Sequence, residues 1–319
     1  MKIEECYGKY TFVDVRSPKE FEEDCIPGAV NIPLFSNEER AIVGTLYKQV
    51  GKEVAIEKGL EIVSTKLPEM INEYKKLNGK IIIYCWRGGM RSGSITGLLK
   101  SMKYDVEQLE KGYKDYRRFV REELEKIRLP KAYVIYGLTG SGKTELLQQF
   151  ENSLDLEGLA QHRGSVFGGI GLKIRSQKMF EGLLLKRLIE LKKQDYILVE
   201  GESRKIGNTQ IPLNVWEQLQ KAKKIKLNSP MQDRVKRLYN EYCKNVDKEV
   251  VIKKILMIEK FLGKKKVGEL IKLVEENKLE EFIEMILIEY YDKLYKHTVD
   301  SKVYEFEITN SKDLLLKLS

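Results

Sequence analysis

Short apolar runs alternate with amphipathic stretches along this chain, and one arrangement occurs twice. Residues 10–16 read as a strand. Ser17 follows as a helix N-cap, with Pro18 at the first helical position and Glu20 where a capping box needs it. Residues 26–33 read as a turn entering a short strand. Residues 80–84 read as a second apolar strand, followed by a loop at 85–91 and a helix over 92–102. A basic stretch at 111–118 leads a helix to Ile127, which Leu129-Pro130 ends. Strand, loop and helix then recur at 132–136, 137–144 and 145–150. An amphipathic helix is predicted from Ser176 to Lys192, with strands at 196–200 and 225–227. From Met231 to about His297 apolar residues recur at helical spacing, as in Ile252, Ile255, Leu256 and Phe282, Ile283, Ile286. Residues 303–308 alternate like an edge strand.

This order predicts an α/β protein of two domains, 1–128 and 129–319, the second carrying C-terminal helical elements. A chain of 319 residues is long enough for two cores. Its formal charge of +9 favours an anionic partner, nucleic acid first. Cys6, Cys25, Cys85 and Cys243 are scattered without a C-x-x-C pair, which argues against a zinc site or a disulfide framework and fits a reducing cytoplasm. With His162 and His297 the only histidines, no multi-histidine metal centre is expected. No run is long and apolar enough for a membrane span, so no membrane partner is expected.

Both predicted loops suit anions. Gly137-Leu138-Thr139-Gly140-Ser141-Gly142-Lys143-Thr144 fits the phosphate-loop pattern G-x-x-x-x-G-K-[ST] between a strand and a helix. Gly137, Gly140 and Gly142 let the backbone wrap, so that N–H groups, Ser141 among them, converge on an anion. The helix adds its positive end, Lys143 a point charge, and Thr144 a hydroxyl suited to Mg²⁺. In the other loop, Cys85 opens Cys85-Trp86-Arg87-Gly88-Gly89-Met90-Arg91. A thiol at the base of such a ring, near a helix N-terminus and Arg87 and Arg91, is expected to ionise easily and act as a nucleophile. The other three cysteines read as buried.

Residues 155–169 hold four glycines and the pair His162-Arg163, placed to meet an anionic ligand. The strand ending at Glu200 leads into Gly201-Glu202-Ser203-Arg204. An acidic strand end often supports a metal or polarises a nucleophile in phosphate-loop proteins. Glu200 stands where Asp is usual, which weighs against nucleotide hydrolysis. The basic clusters at Arg234, Lys236 and Arg237 and at Lys264, Lys265 and Lys266 serve equally as a solvated face or as RNA contacts.

The segments Asp14-Val15-Arg16-Ser17-Pro18 and Ile26-Pro27-Gly28-Ala29-Val30-Asn31-Ile32-Pro33, with the Cys85 loop, resemble a rhodanese domain. That resemblance implies a loop cysteine that carries sulfur as a persulfide. Cys25 stands where many rhodaneses have His. Five residues separate Cys85 from Arg91, where many sulfur-transfer rhodaneses have four, and the wider ring matches phosphatases of the same fold. The phosphate loop, residues 156–165, Val199-Glu200-Gly201-Glu202-Ser203-Arg204 and Tyr291-Asp292 complete a set that is similar to the tRNA 2-selenouridine synthase family.

Several expectations come with that resemblance. The substrate is tRNA, held by its anticodon arm, with a wobble 2-thiouridine. Geranyl diphosphate and selenophosphate are co-substrates, with no permanently bound cofactor, no resident metal centre, and Mg²⁺ left open. Selenophosphate synthetase is a candidate partner. Geranylation of the sulfur comes first, with Gly137, Gly140, Ser141, Gly142, Lys143 and Thr144 receiving pyrophosphate. Cys85 then attacks the selenium of selenophosphate, whose phosphate sits among Trp86, Arg87, Gly88, Gly89, Met90 and Arg91, and the resulting perselenide delivers selenium to C2 of the base. His162, Arg163, Glu200, Glu202 and Arg204 are candidates for RNA contact or proton transfer. Two other readings stand beside this one: a nucleotide-dependent kinase or NTPase with a regulatory rhodanese domain, and a sulfur-only tRNA carrier.

Overall fold

A computed structural model describes residues 1–242 and 247–318; Cys243 and the side chain of His297 lie outside the described residues. The chain divides into two compact units. One comprises Met1–Leu124 with Glu181–Leu183, the other Glu125–Phe180 with Leu184–Ser319.

In the first unit the order is α1 (Ile3–Cys6), β1 (Thr11–Asp14), α2 (Pro18–Glu23), β2 (Val30–Asn31), α3 (Asn37–Gln49), α4 (Lys52–Lys75), β3 (Ile81–Tyr84), α5 (Met90–Ser101), β4 (Val106–Gln108) and α6 (Gly112–Lys126). The strands form a parallel sheet in the order β2-β1-β3-β4. All four residues of β3 are buried, as a parallel strand covered on both faces requires. Its core gathers Val13, Val15, Ile83, Ile95 and Leu99 around Cys85. Ser17 and Glu20 form the expected capping box, with Pro18 at the first helical position.

Helices α3 and α4 were not legible in the sequence. No residue of α3 is fully buried, and α4 buries only Ala55, Gly59, Met70 and Tyr74. Helix α4 carries a buried or half-buried stripe of Ala55, Gly59, Ile62, Val63, Leu67, Met70 and Tyr74, but exposed Ile42 and Tyr47 in α3 and Val54 and Leu60 in α4 blur the pattern, and Pro68 interrupts it.

The second unit runs β5 (Lys131–Tyr136), α7 (Lys143–Leu147), β6 (Ser153–Leu154), α8 (Leu156–Ala160), α9 (Gln177–Leu191), β7 (Tyr196–Glu200), β8 (Lys205–Ile206), β9 (Thr209–Gln210), α10 (Leu213–Lys221) and β10 (Lys223–Leu227). It continues with α11 (Met231–Tyr242), α12 (Lys248–Met257), α13 (Glu259–Leu262), α14 (Lys264–Glu275), α15 (Leu279–Ile286), a π-helical turn (Leu287–Tyr291), α16 (Asp292–Asp300), β11 (Phe306–Ile308) and α17 (Ser311–Leu318). The main sheet is parallel, in the order β11-β10-β5-β7-β6, and β8 and β9 form a separate hairpin. The alternation at 303–308 does yield the edge strand β11. The helical region builds its own core from Leu238, Ile255, Leu270, Phe282 and Leu287, with Phe167 and Ile170 from the glycine-rich segment packed into it. Among the described residues no helix is long and apolar enough to cross a membrane.

Candidate functional site

Each unit places one glycine-containing loop at the carboxyl end of a buried parallel strand, the position where open α/β sheets bind ligands. In the first unit the loop between β3 and α5 wraps the Cys85 side chain. The Ser92 hydroxyl donates to Cys85 Sγ at 3.2 Å. Gln108, at the end of β4, fixes that serine by donating to its Oγ at 2.8 Å, and it also donates to the carbonyl of Gly88 at 2.8 Å. Burial pushes the Cys85 thiol up. The Ser92 hydroxyl, the backbone N–H groups of Ser92 and Arg87, and the Arg91 charge together outweigh it and hold the thiol below its ordinary value. At Cys6 and Cys25 burial outweighs the contacts that favour the thiolate and pushes both up to about 11. One sulfur of the three described is thus tuned for reaction.

The ring closes because Gly88 takes φ +63°, and a Cβ there would lie 2.8 Å from the Leu109 carbonyl oxygen. Trp86 stands on an aromatic buttress. Its ring lies 5.6 Å from Tyr113, and the buried Arg16 guanidinium sits 4.3 Å from the Tyr113 centroid. Arg16 is held by Asp14 at 2.7 Å and by the Asp24 carbonyl at 2.7 Å. Arg91 pairs with Glu20 at 2.9 Å, and Arg87, Gly89 and Met90 are exposed around the ring.

In the second unit the loop between β5 and α7 lines a cleft of about 830 Å³. Gly140 and Gly142 take φ +76° and +89°. Gly137 has no room for a side chain: a Cβ would lie 2.8 Å from the Leu227 carbonyl oxygen. Lys143 Nζ donates to the Gly137 carbonyl at 3.3 Å, and the Thr144 hydroxyl donates to Glu200 at 3.1 Å. Ser141 Oγ and Glu200 Oε2 are buried with no hydrogen-bond partner among the described residues.

Three carboxylates meet here. Glu157 from α8, Glu200 from the end of β7 and Glu202 just beyond it bring ligand oxygens within 4.8 Å of one another. Burial first, and Glu202 second, push the Glu200 carboxyl up to about 8. Burial works against the Lys143 ammonium, but Glu202, Glu200, Glu157 and Glu241 more than compensate and strengthen its hold on the proton.

Two arginines that the sequence left as solvated face or RNA contact are engaged with the phosphate loop. Arg234 is 4% exposed; its Nε donates to the Thr139 carbonyl at 2.9 Å while its two terminal nitrogens grip Asp292 at 2.9 and 2.5 Å. Arg237 donates to the Gly140 carbonyl at 3.2 Å and pairs with Glu145 at 2.8 Å. Both brace the phosphate loop from α11. Tyr291-Asp292, singled out as a motif, thereby gains a structural role through Asp292. In the basic stretch at 111–118, Arg118 is consumed by Asp115, Glu122 and Glu4.

Of the remaining candidates, Arg163, Glu200, Glu202 and Arg204 line the cleft. Arg163 donates to the Ile170 carbonyl at 3.3 Å and lies 3.8 Å from Glu241. His162 does not line it. Its ring is packed against Gly207, in the turn between β8 and β9, where a Cβ would lie 2.5 Å away. Burial, then Lys254 and Arg163, hold that imidazole below its ordinary value. Glu157 was not singled out in the sequence, because one glutamate in a short helix carries no signature.

Residues 130–318 match the family described as tRNA 2-selenouridine synthase AAA domain, and residues 4–119 match the rhodanese-like domain. A tRNA 2-selenouridine synthase of Pseudomonas syringae pv. syringae (strain B728a) is 32% identical, over 95% of this chain and 92% of that protein. One from Nitrosomonas eutropha is 38% identical over 72% of this chain, and the match spans 62% of that protein's length. A solved N-terminal domain from Clostridium difficile 630 is 51% identical over 38% of this chain and 97% of that domain, with a TM-score of 0.37. With both of its units matched and full-length relatives above 30% identity, the chain belongs to the tRNA 2-selenouridine synthase family.

Proposed function

We propose that this chain makes 2-selenouridine in tRNA by two successive reactions on one wobble base. The reading rests on one observation: the two units carry two different anion seats, one built around a thiol held below its ordinary value and one around the Lys143 ammonium.

The first reaction belongs to the cleft. A thiocarbonyl sulfur is a poor leaving group, and alkylation makes it a good one. The sulfur of 2-thiouridine attacks C1 of geranyl diphosphate, the C1–O bond breaks, and the N3 proton of the base is lost to water. Pyrophosphate departs toward the N–H groups of the phosphate loop and Lys143, which face charge that develops as the bond breaks. The loop family implies Mg²⁺ in such a seat. Thr144 and Glu200 would hold it, and the unpartnered Oε2 of Glu200 fits that role. When bound, the ion adds charge neutralisation at the pyrophosphate oxygens.

The second reaction belongs to Cys85. Attack of its thiolate on selenium would expel phosphorus with the bonding electron pair, and a perselenide would then need two more electrons to release selenide. Attack at phosphorus balances without a reductant. The Sγ–P bond forms, the P–Se bond breaks, and selenide leaves at the oxidation level that C2 of the base requires. Selenide displaces the geranyl thiol, and water releases phosphate from Sγ. A loop with five residues between Cys85 and Arg91, with N–H groups of Arg87 and Ser92 aimed inward, suits a tetrahedral phosphate.

Nucleoside mass spectrometry of tRNA from two variants tests the division of labour. Lys143→Ala loses geranylation and still selenates pre-geranylated RNA, whereas Cys85→Ala accumulates geranylated RNA. Loss of the same step in both refutes it, and ATP turnover without RNA would favour a nucleotide-dependent kinase or NTPase.

A further inference from the structure

We propose that the solvent face of α12 and α13, headed by Phe261, is a platform on which unpaired bases of an RNA loop stack, and that a line of rings behind Phe261 leads from this platform to the cleft. The inference deepens the reading of the chain as a tRNA-modifying enzyme and rests on it for the identity of the nucleic acid.

The two helices break the ordinary pattern of a surface element. Val251, Ile255 and Ile258 belong to the core of the helical region, so the opposite face should be polar. It is not. Of the exposed positions from 250 to 265, four are large and apolar: Val250, Leu256, Met257 and Phe261, at 39, 49, 63 and 68% exposure. Four others are lysines, one is Gly263, and none is acidic. A single exposed apolar residue means little, but four along one face mark an interaction surface. Lys253 and Lys260 stand between them. Among the described residues no carboxylate pairs with either, whereas Lys266, farther along, is held by Glu289.

Charge and spacing say what fits. Apolar groups and lysines recur together along the helix, whose turns rise about 5.4 Å each. The partner must therefore repeat anions and flat apolar surfaces at short intervals. Single-stranded RNA does so, with one phosphate and one base per nucleotide, whereas a duplex hides its base faces. A helix that lies on a membrane sorts its apolar residues to one side and its lysines to the other. Here the two kinds mix, and the more apolar side of α12 is already spent in the core.

Phe261 is the side chain placed for stacking. Its ring makes a T-shaped contact with Tyr290, centroids 5.8 Å apart, which holds its plane while most of the residue stays in solvent. The contacts continue inward. Tyr290 meets Tyr291 at 5.1 Å, and Tyr291 stacks on Tyr295 at 6.2 Å. Tyr295 lines the cleft that holds Lys143 and the phosphate loop. A loop with one base resting on Phe261 is thus kept three ring contacts from the wall where the first reaction takes place.

The test uses the full-length protein and two RNA probes, followed by fluorescence anisotropy over a range of salt. One probe is a hairpin with an anticodon-arm sequence, the other the same stem continued as a blunt duplex. Phe261→Ala should weaken hairpin binding about five- to a hundredfold. Its salt slope should not change, because a stacking face is lost and no phosphate contact is. The duplex should bind both proteins alike. Lys253→Ala/Lys260→Ala should instead make the hairpin slope shallower by about 1.4, the value for two single-strand phosphates. Phe261→Trp, which keeps a stacking face, should bind the hairpin as the wild type does, and the fluorescence it adds to that of Trp86 and Trp216 should be quenched by the RNA. Leu60→Ala, at a 64% exposed apolar position on α4, should change nothing, and circular dichroism checks folding throughout. Unchanged hairpin affinity in Phe261→Ala, with whole tRNA still bound by the wild type, overturns the platform and leaves the tRNA reading standing. A wild type that binds neither hairpin nor tRNA overturns both. Sedimentation with phosphatidylserine vesicles that is lost in Phe261→Ala, while hairpin binding persists, overturns the RNA assignment in favour of a lipid surface.

Discussion

The Ser92 hydroxyl stands 3.2 Å from the Cys85 sulfur and is itself held by Gln108 at 2.8 Å. A hydrogen bond to a charged group is worth about 1.5–3 kcal/mol, and here it favours the thiolate. Ser92→Ala therefore moves Cys85 toward its protonated form. The expected result is iodoacetamide alkylation of Cys85 at pH 7 slowed about tenfold, with the pH–rate midpoint shifted upward. Cys6 and Cys25 stay unreactive at that pH in both proteins. An unmoved profile would show that Ser92 does not tune the thiol.

Adjacent glycines in the Cys85 ring differ sharply. At Gly88 a methyl group meets two backbone atoms, the Leu109 oxygen and the Lys111 nitrogen, each at 2.8 Å, in a left-handed conformation. At Gly89 it meets nothing within 4 Å. Gly88→Ala should cost about 1–3 kcal/mol and lower the melting temperature by several degrees, with loss of Cys85 reactivity. Gly89→Ala should retain both properties. Thermal melts and thiol labelling of the pair decide it.

Attack at phosphorus and attack at selenium leave different adducts on Cys85. Rapid quenching with selenophosphate, followed by intact-protein mass spectrometry, is expected to show a phosphoryl adduct. The isotope envelope of selenium on the protein would instead favour the perselenide.

Arg234 ties α11 to both the phosphate loop and Asp292. Its replacement leaves a half-buried carboxylate unpaired and a loop carbonyl without its donor. Arg234→Ala should cost about 2–4 kcal/mol in urea unfolding and weaken pyrophosphate binding. Arg234→Lys, which cannot make the forked contact, should recover only part of either.

Lysines in the first turn of α14 oppose the helix dipole, and no acidic residue sits there to offset them. Lys266 is engaged by Glu289, while Lys264 and Lys265 are exposed. If these two hold RNA phosphates, the double variant Lys264→Ala/Lys265→Ala should bind tRNA with a salt slope shallower by about 2. An unchanged slope assigns them to a solvated face.

Much of this protein was legible before any coordinates. The two strand–loop–helix units, the Ser17 capping box, the edge strand at 306–308 and the phosphate-loop glycines are set by neighbours within about ten residues. Such features depend on backbone sterics and on period-2 or period-3.6 patterning, and both are written locally. Helices α3 and α4 escaped because exposed apolar residues such as Ile42, Tyr47, Val54 and Leu60 lie among the half-buried ones and Pro68 falls inside α4, so the helical stripe is blurred.

What the tertiary structure alone decided lies at long sequence separation. Glu157 joins Glu200 and Glu202, Arg234 reaches Thr139 and Asp292, and Gln108 positions Ser92. The ring of His162 faces the β8–β9 turn although its neighbour Arg163 lines the cleft. A chain fixes the chemistry of each side chain and the shape of each loop. Which distant side chains share one low-dielectric space depends on how the sheets and helices pack, and that sharing is what shifts their protons and charges.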